Sequence, residues 1–283
     1  MSETSVISVQ HLHKVYGSRV AVSDVSFSVD EGEIFGIVGR NGAGKTTTVE
    51  CVAGLRTPDS GSVHVAAAKA EIGVQLQDAA LPDKLKAGEA IDLYASFYGT
   101  SPEGLLDEVG VPPDVAFAKL SGGQRQRLSI ALALVGRPKI AIFDELTTGL
   151  DPQARRDTWD LISKVRERGV TVLLVTHFME EIERLCDRVA VLAAGEVAAL
   201  DTPAGLIARA GGLVTATFRT AYPDLLRALP EVASVRVEGA LVTVTGGAGL
   251  LKAIVTAVPD IDDLRTERTT LDDAFLTLTG EES

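Results

Sequence analysis

The sequence predicts an α/β protein with a mixed-sheet core, an antiparallel β edge and a helical insert, followed by a small α+β domain of ferredoxin-like order. Three observations carry that prediction. Near-continuous aliphatic runs at residues 34–38, 140–143, 171–175 and 189–193 are strand-sized and suit a parallel sheet covered on both faces. Between the second and third of these, and between the third and fourth, lie helical stretches at 153–168 and 179–186. After Gly211-Gly212 a second pattern starts, in the order β-α-β-β-α-β.

In chain order, strands are expected at 6–12, 25–29 and 34–38, the last running into a Gly-rich loop at Gly39. A helix follows from Lys45 to about Gly54, where glycine stops it and Pro58, Ser60 and Gly61 make the next turn. Residues 72–76 are another strand-length apolar run. From 78 to about 137 the texture turns helical, with Leu85, Ile91, Leu93 and Phe97, then Leu105, Leu106 and Val109, then 128–135. This is the insert, and the first domain spans 1–210. The second, 213–283, has strands at 213–219, 232–237, 241–245 and 261–267 and helices at 224–229 and 249–258. A closing helix at 270–279 has Thr270 as its N-cap and Asp272 and Asp273 in its first turn.

Composition narrows the partners. The chain has 283 residues, 46% of them hydrophobic and 5% aromatic, which makes a globular core of Ala, Val and Leu. A net charge of -12 argues against a surface for nucleic acid or anionic lipid, both of which reward clustered Lys and Arg. No nucleic-acid partner is expected. Cys51 and Cys186 have no metal-ligand spacing and read as small buried hydrophobes. No basic-then-apolar leader opens the chain, and its longest aliphatic run, 170–175, is far short of the ~20 residues of a membrane helix.

The chemistry begins at Gly39-Arg40-Asn41-Gly42-Ala43-Gly44-Lys45-Thr46, which fits G-x-x-x-x-G-K-[ST] between a strand and a helix. Glycines let backbone N–H groups wrap phosphates, and the helix N-terminus adds donors and positive dipole. Lys45 suits the β- and γ-phosphates of ATP, Thr46 suits Mg²⁺, and Thr47 continues the cradle along the helix. An apolar strand ending in acids, Ile140-Ala141-Ile142-Phe143-Asp144-Glu145, supplies Asp144 to support the metal and Glu145 to orient and deprotonate water. A second Gly-rich loop opens a helix at Leu120-Ser121-Gly122-Gly123-Gln124. One nucleotide has no need of two cradles in one chain.

With that string the sequence resembles the ATP-binding subunits of ABC transporters, whose signature is LSGGQ, over residues 5–209. The resemblance implies the P-loop NTPase fold in its ABC ATPase form. It implies that Tyr16 stacks on adenine, and that Gln77 senses metal and γ-phosphate and marks the contact with a membrane partner. It further identifies Gly149-Leu150-Asp151 as a D-loop between paired sites and His177 as a switch contacting the γ-phosphate. In the family the signature loop of one subunit covers ATP held by the other, so Ser121, Gly122, Gly123 and Gln124 would serve the nucleotide of a second copy in a head-to-tail dimer. A separate polytopic permease is the implied second partner, with the subunit cytoplasmic and peripheral at the inner face of the membrane. Two departures stand out. Leu146 replaces the usual Pro after the acid pair, and the stretch from Gln77 to Leu120 is short.

The segment 213–280, ending Leu271-Asp272-Asp273-Ala274-Phe275-Leu276-Thr277-Leu278-Thr279-Gly280, is similar to the tail of the drug- and lipid-export branch typified by daunorubicin-resistance ATPases. Its Asp262, Asp263, Asp272 and Asp273 read as solvated turn and helix positions. Soluble ABC ATPases that act on ribosomes or nucleic acid share the same motifs, and they are the alternative. Those usually carry two cassettes or a coiled-coil or zinc insert with a basic surface, whereas this chain has one cassette and an acidic balance.

Overall fold

The computed structural model describes residues 5–75, 81–247 and 249–280. The chain divides into two compact units, one up to Pro203 and one from Ala204. The strands of the first unit are β1 (Ser5–Tyr16), β2 (Arg19–Asp30), β3 (Ile34–Gly39), β4 (Ser60–Val65), β5 (Ile72–Gln75), β6 (Ile140–Asp144), β7 (Thr171–Thr176), β8 (Arg188–Ala193) and β9 (Glu196–Asp201). Its helices are α1 (Lys45–Val52), α2 (Ala87–Tyr98), α3 (Leu105–Val109), α4 (Gly122–Leu134), α5 (Pro152–Glu167) and α6 (Met179–Leu185), and α7 (Pro203–Arg209) starts at the division.

The nine strands form one sheet in the order β4-β1-β2-β9-β8-β3-β7-β6-β5. Strands β5, β6, β7, β3 and β8 pair in parallel, and β1 pairs antiparallel with β2 and β4. This is the mixed sheet with an antiparallel edge expected from the aliphatic runs. Every residue of β3, β6 and β7 is buried, which is why these strands read as continuous rather than alternating. Phe35, Ile37, Ile142, Leu173, Val175 and Ala190 share one core with Val49 and Val52 of α1, so α1 is fastened to the sheet directly behind the Gly-rich loop. Cys51 and Cys186 are buried and free.

Two strands and a helix escaped the sequence reading. β4 follows the Pro58 turn and lies at the sheet edge, so only part of its surface is buried and its apolar signal is weak. β9 and α7 are short and follow one another closely, and neither carries a run long enough to show periodicity. The insert between β5 and β6 is helical as expected, with α2, α3, a 3-10 turn at Phe117–Lys119 and α4. Gln77 lies outside the described residues.

The second unit holds β10 (Val214–Arg219), β11 (Val232–Glu238), β12 (Leu241–Gly246), α8 (Leu250–Ala257), β13 (Asp262–Arg268) and α9 (Leu271–Leu278). Its sheet order is β11-β12-β10-β13 with every neighbouring pair antiparallel, the ferredoxin-like arrangement. The helix expected at 224–229 is a 3-10 segment, Pro223–Ala228, held to the sheet by one buried residue, Leu226. Its core is Val214, Ala216, Phe218, Val242, Val244, Leu250 and Ile254. Asp273 closes a capping box with Thr270, which accepts from the Asp273 N–H at 3.2 Å.

Candidate functional site

The site is built where β3 ends and α1 begins. Gly39 is the last residue of β3, and a Cβ there would lie 2.5 Å from the Leu192 carbonyl, so only glycine lets the loop leave beside β8. Gly44 is the N-cap of α1 with φ +100, and a Cβ on it would lie 2.7 Å from the Ala21 carbonyl. No side chain caps α1, and no acidic residue sits in its first turn. The first-turn N–H groups and the positive end of the helix dipole are therefore open to an anion.

This loop borders a cleft of about 1040 Å³. Of the residues picked out from sequence, Tyr16, Arg40, Asn41, Gly42, Gly44, Lys45, Thr46, Thr47, Glu145 and His177 line it together. Gly39 and Ala43 support the loop from behind, Ala43 buried at 6% exposure. Arg19, Ala21 and Thr148 also line the cleft and were not identified from sequence. The first two lie at the start of β2, a few residues past Tyr16 but outside every motif, so no local pattern marks them. Tyr16, at the end of β1, is 40% exposed, with Lys14 Nζ and Arg56 Cζ 5.7 and 5.9 Å from its ring centre.

Lys45 is almost buried, and its Nζ donates to the carbonyls of Gly39 at 2.7 Å and Arg40 at 3.2 Å. Burial lowers its pKa, and the negative charges of Glu145 and Asp144 oppose that shift. Asp144, at the end of β6, is 1% exposed. Both of its carboxylate oxygens are buried without a hydrogen-bond partner among the described residues. Burial is the largest cause pushing its pKa up to about 6, with Glu145 adding to the rise and Lys45 opposing it. A buried carboxylate left so poorly satisfied beside a lysine and an open helix N-terminus is a donor set that fits a divalent cation carried in with a polyphosphate.

Glu145 follows directly, with φ 51, a left-handed conformation uncommon for a residue with a side chain. Its N–H donates to the Val175 carbonyl at 2.9 Å, so β7 holds the backbone while the turn aims the side chain at the cleft. His177, one residue past the end of β7, faces it with Nδ1 3.5 Å from Glu145 Oε1. Leu146, where a proline was the family expectation, is fully buried and roots this turn in the core.

The second Gly-rich loop is elsewhere. Ser121, Gly122, Gly123 and Gln124 do not line the cleft. They start α4 with a complete capping box in which Ser121 Oγ accepts from the Gln124 N–H at 3.2 Å and Gln124 Oε1 accepts from the Ser121 N–H at 2.9 Å. A Cβ on Gly123 would meet Ala154 Cβ at 3.2 Å, so this loop packs on α5 of its own chain. Asp151 caps α5, accepting from the N–H groups of Gln153 and Ala154 at 2.9 Å each, with Pro152 in the first turn.

A strand-loop-helix cradle with a buried lysine, a histidine just past the end of the neighbouring strand β7 and an acid pair at the end of β6 beyond it defines a nucleotide-binding P-loop NTPase. Comparison with known proteins makes this specific. Residues 22–148 match the family model described as ABC transporter. The chain is 32% identical to the linearmycin resistance ATP-binding protein LnrL of Bacillus subtilis, over 97% of this chain and 98% of that one. It is 34% identical to the Nod factor export ATP-binding protein I of Ralstonia nicotianae, over the whole of this chain and 96% of that one. Among solved structures, a dimeric bacterial ABC transporter cassette superposes with a TM-score of 0.64 at 26% identity, covering 69% of this chain and 98% of that one. The chain belongs to the ABC transporter ATP-binding family and is an ABC-type ATPase, converting ATP and water to ADP and phosphate.

Proposed function

We propose that this chain couples Mg-ATP hydrolysis and head-to-tail dimerisation to the export of a drug- or lipid-like substrate through a separate membrane subunit. The observation that carries the reading is the extent of the similarity. The matches to an ATP-binding protein of linearmycin resistance and to one of Nod factor export run through the second unit as well as the cassette. Among the described residues no helix is long and apolar enough to cross a membrane, which supports a membrane partner carrying the substrate path. The subunit would then work from the cytoplasmic face.

In the cleft, the α1 N-terminus and Lys45 bind the phosphates, and Tyr16 stacks on the base. Thr46 and Asp144, with Gln77, are the residues that would hold Mg²⁺, which when bound supplies positive charge against the phosphate oxygens. Glu145 orients water and takes its proton, a role suited to a carboxylate aimed into the cleft from a fixed turn. His177 stabilises charge at the γ-phosphate. The signature loop Ser121–Gln124 lies outside its own cleft, which supports its service to the nucleotide of a second copy, and the dimeric cassette is the precedent for that assembly.

The test is isolation of the chain from its native membrane under mild detergent. Co-purification with a polytopic membrane protein whose substrate transport depends on ATP is expected. Reproducible association with ribosomes, and no membrane partner, would overturn the export reading and favour the soluble class.

A further inference from the structure

Trp159 is the single tryptophan of the chain. It sits on α5, the helix capped by Asp151, is 2% exposed, and its indole N–H donates to Glu181 Oε1 at 2.9 Å. Glu181 is fully buried on α6, four residues past His177. Burial raises its pKa, and the hydroxyls of Thr176 and Thr147, the Trp159 N–H and the Arg155 charge favour its ionised form. Thr176 immediately precedes His177, and Thr147 is two residues past Glu145. Even so, Glu181 Oε2 completes no hydrogen bond of standard geometry among the described residues.

A carboxylate is a costly choice for packing alone. A buried acid left partly unsatisfied destabilises a fold, and an apolar side chain could fill the same space without that penalty. The position of Glu181 suggests what the cost is for. Its carboxylate joins the helix that Asp151 caps to the helix that follows the His177 loop. A second contact joins the same helix to the same loop: the Arg155 guanidinium lies 4.4 Å from the centre of the Phe178 ring, and that ring lies 4.1 Å from the His177 ring.

We propose that Glu181 is a positioning residue that locks α5 to the His177 loop through Trp159, so that displacement of the Asp151 end of α5 is delivered to His177 in the cleft. The inference rests on the role of His177 given above and deepens it. It makes the strand-end histidine responsive to the helix behind Gly149-Leu150-Asp151, not only to nucleotide in its own cleft.

The single tryptophan is itself the reporter. In a Glu145→Gln background, which holds ATP without turnover, ATP is expected to shift Trp159 emission, and adding Glu181→Gln is expected to remove the shift. In the otherwise native chain, Glu181→Gln is expected to lower kcat about tenfold with KM for ATP unchanged within about twofold, because the cradle is untouched. Trp159→Phe keeps the ring and loses the donor, so it should lower kcat similarly, and the double variant should fall little further than either single one. A change in melting temperature without a change in kcat would mark a purely structural residue and overturn the proposal. Parent-rate turnover by Glu181→Gln with its emission response intact, beside an inactive His177→Ala, overturns this inference alone. Parent-rate turnover by His177→Ala overturns it together with the reading on which it rests.

Discussion

The Nδ1 atom of His177 lies 3.5 Å from Oε1 of Glu145, although the two residues reach the cleft from the ends of different strands. Parallel pairing of β6 with β7 puts Asp144 beside Val175, and each chain then turns toward the cleft within two residues. Sheet register therefore brings the two residues to the same place, and the turn after each strand aims the side chain.

That register leads to the first prediction. Glu145→Gln preserves the turn and removes the proton acceptor, so hydrolysis should fall by about 10²- to 10⁴-fold while ATP still binds. Gel filtration should show an ATP-dependent dimer for this variant. Turnover at the parent rate would remove Glu145 from the role of base.

A second prediction concerns the signature loop. Ser121→Arg should abolish hydrolysis by obstructing the cleft of a second copy, at the further cost of about 1 kcal/mol from the lost N-cap. Thermal melting separates the two effects, since the cap loss alone leaves a folded chain. Mixing Ser121→Arg with Lys45→Ala protein should restore at most one working site per dimer. Full activity of Ser121→Arg by itself would refute the head-to-tail arrangement.

Asp144 gives a prediction in which stability and function part. Its folded-state pKa of about 6 lies above the unfolded value near 3.8, so the folded chain binds the proton more tightly. In EDTA and without nucleotide, stability should decline as pH rises from about 4 to about 6, and Asp144→Asn should flatten that decline. At about 1.4 kcal/mol per pKa unit, Asp144→Asn should be roughly 2–3 kcal/mol more stable than the parent at pH 7. Adding Mg-ATP should reverse the order, stabilising the parent strongly and the variant little. Equal melting curves across this range would disprove the buried, poorly satisfied state of Asp144.

The glycines offer a test of loop geometry. Gly39→Ala places a methyl group 2.5 Å from the Leu192 carbonyl, and Gly44→Ala adds a positive φ to a 2.7 Å approach to Ala21. Both should lose ATP affinity, measured by fluorescent-nucleotide titration, because the cradle backbone must move. Gly17→Ala, with φ +61 and open space around its Cβ, should cost only about 1 kcal/mol of stability and leave affinity near the parent value. Equal affinity in all three variants would show that the loop tolerates displacement.

Sequence alone located the candidate motifs that are contiguous along the chain. The cradle from Gly39 to Thr47, the acid pair Asp144-Glu145 and the string Leu120 to Gln124 are each local, because a phosphate loop needs its glycines, lysine and helix start in unbroken order. The parallel core was equally legible, since strands buried on both faces are aliphatic at every position. Tertiary structure decided what depends on residues distant in sequence. It brought Arg19 and Ala21 to the same cleft wall as the Gly-rich loop and buried the Asp144 carboxylate without a hydrogen-bond partner among the described residues. It also showed Ser121–Gln124 engaged in a cap outside the cleft, and joined Trp159 to a buried Glu181. The edge strand β4 and the short β9 became strands only through their neighbours, for a half-exposed edge carries little apolar signal of its own. Burial, register and desolvation arise only when separate segments pack, and so no local pattern of residues encodes them.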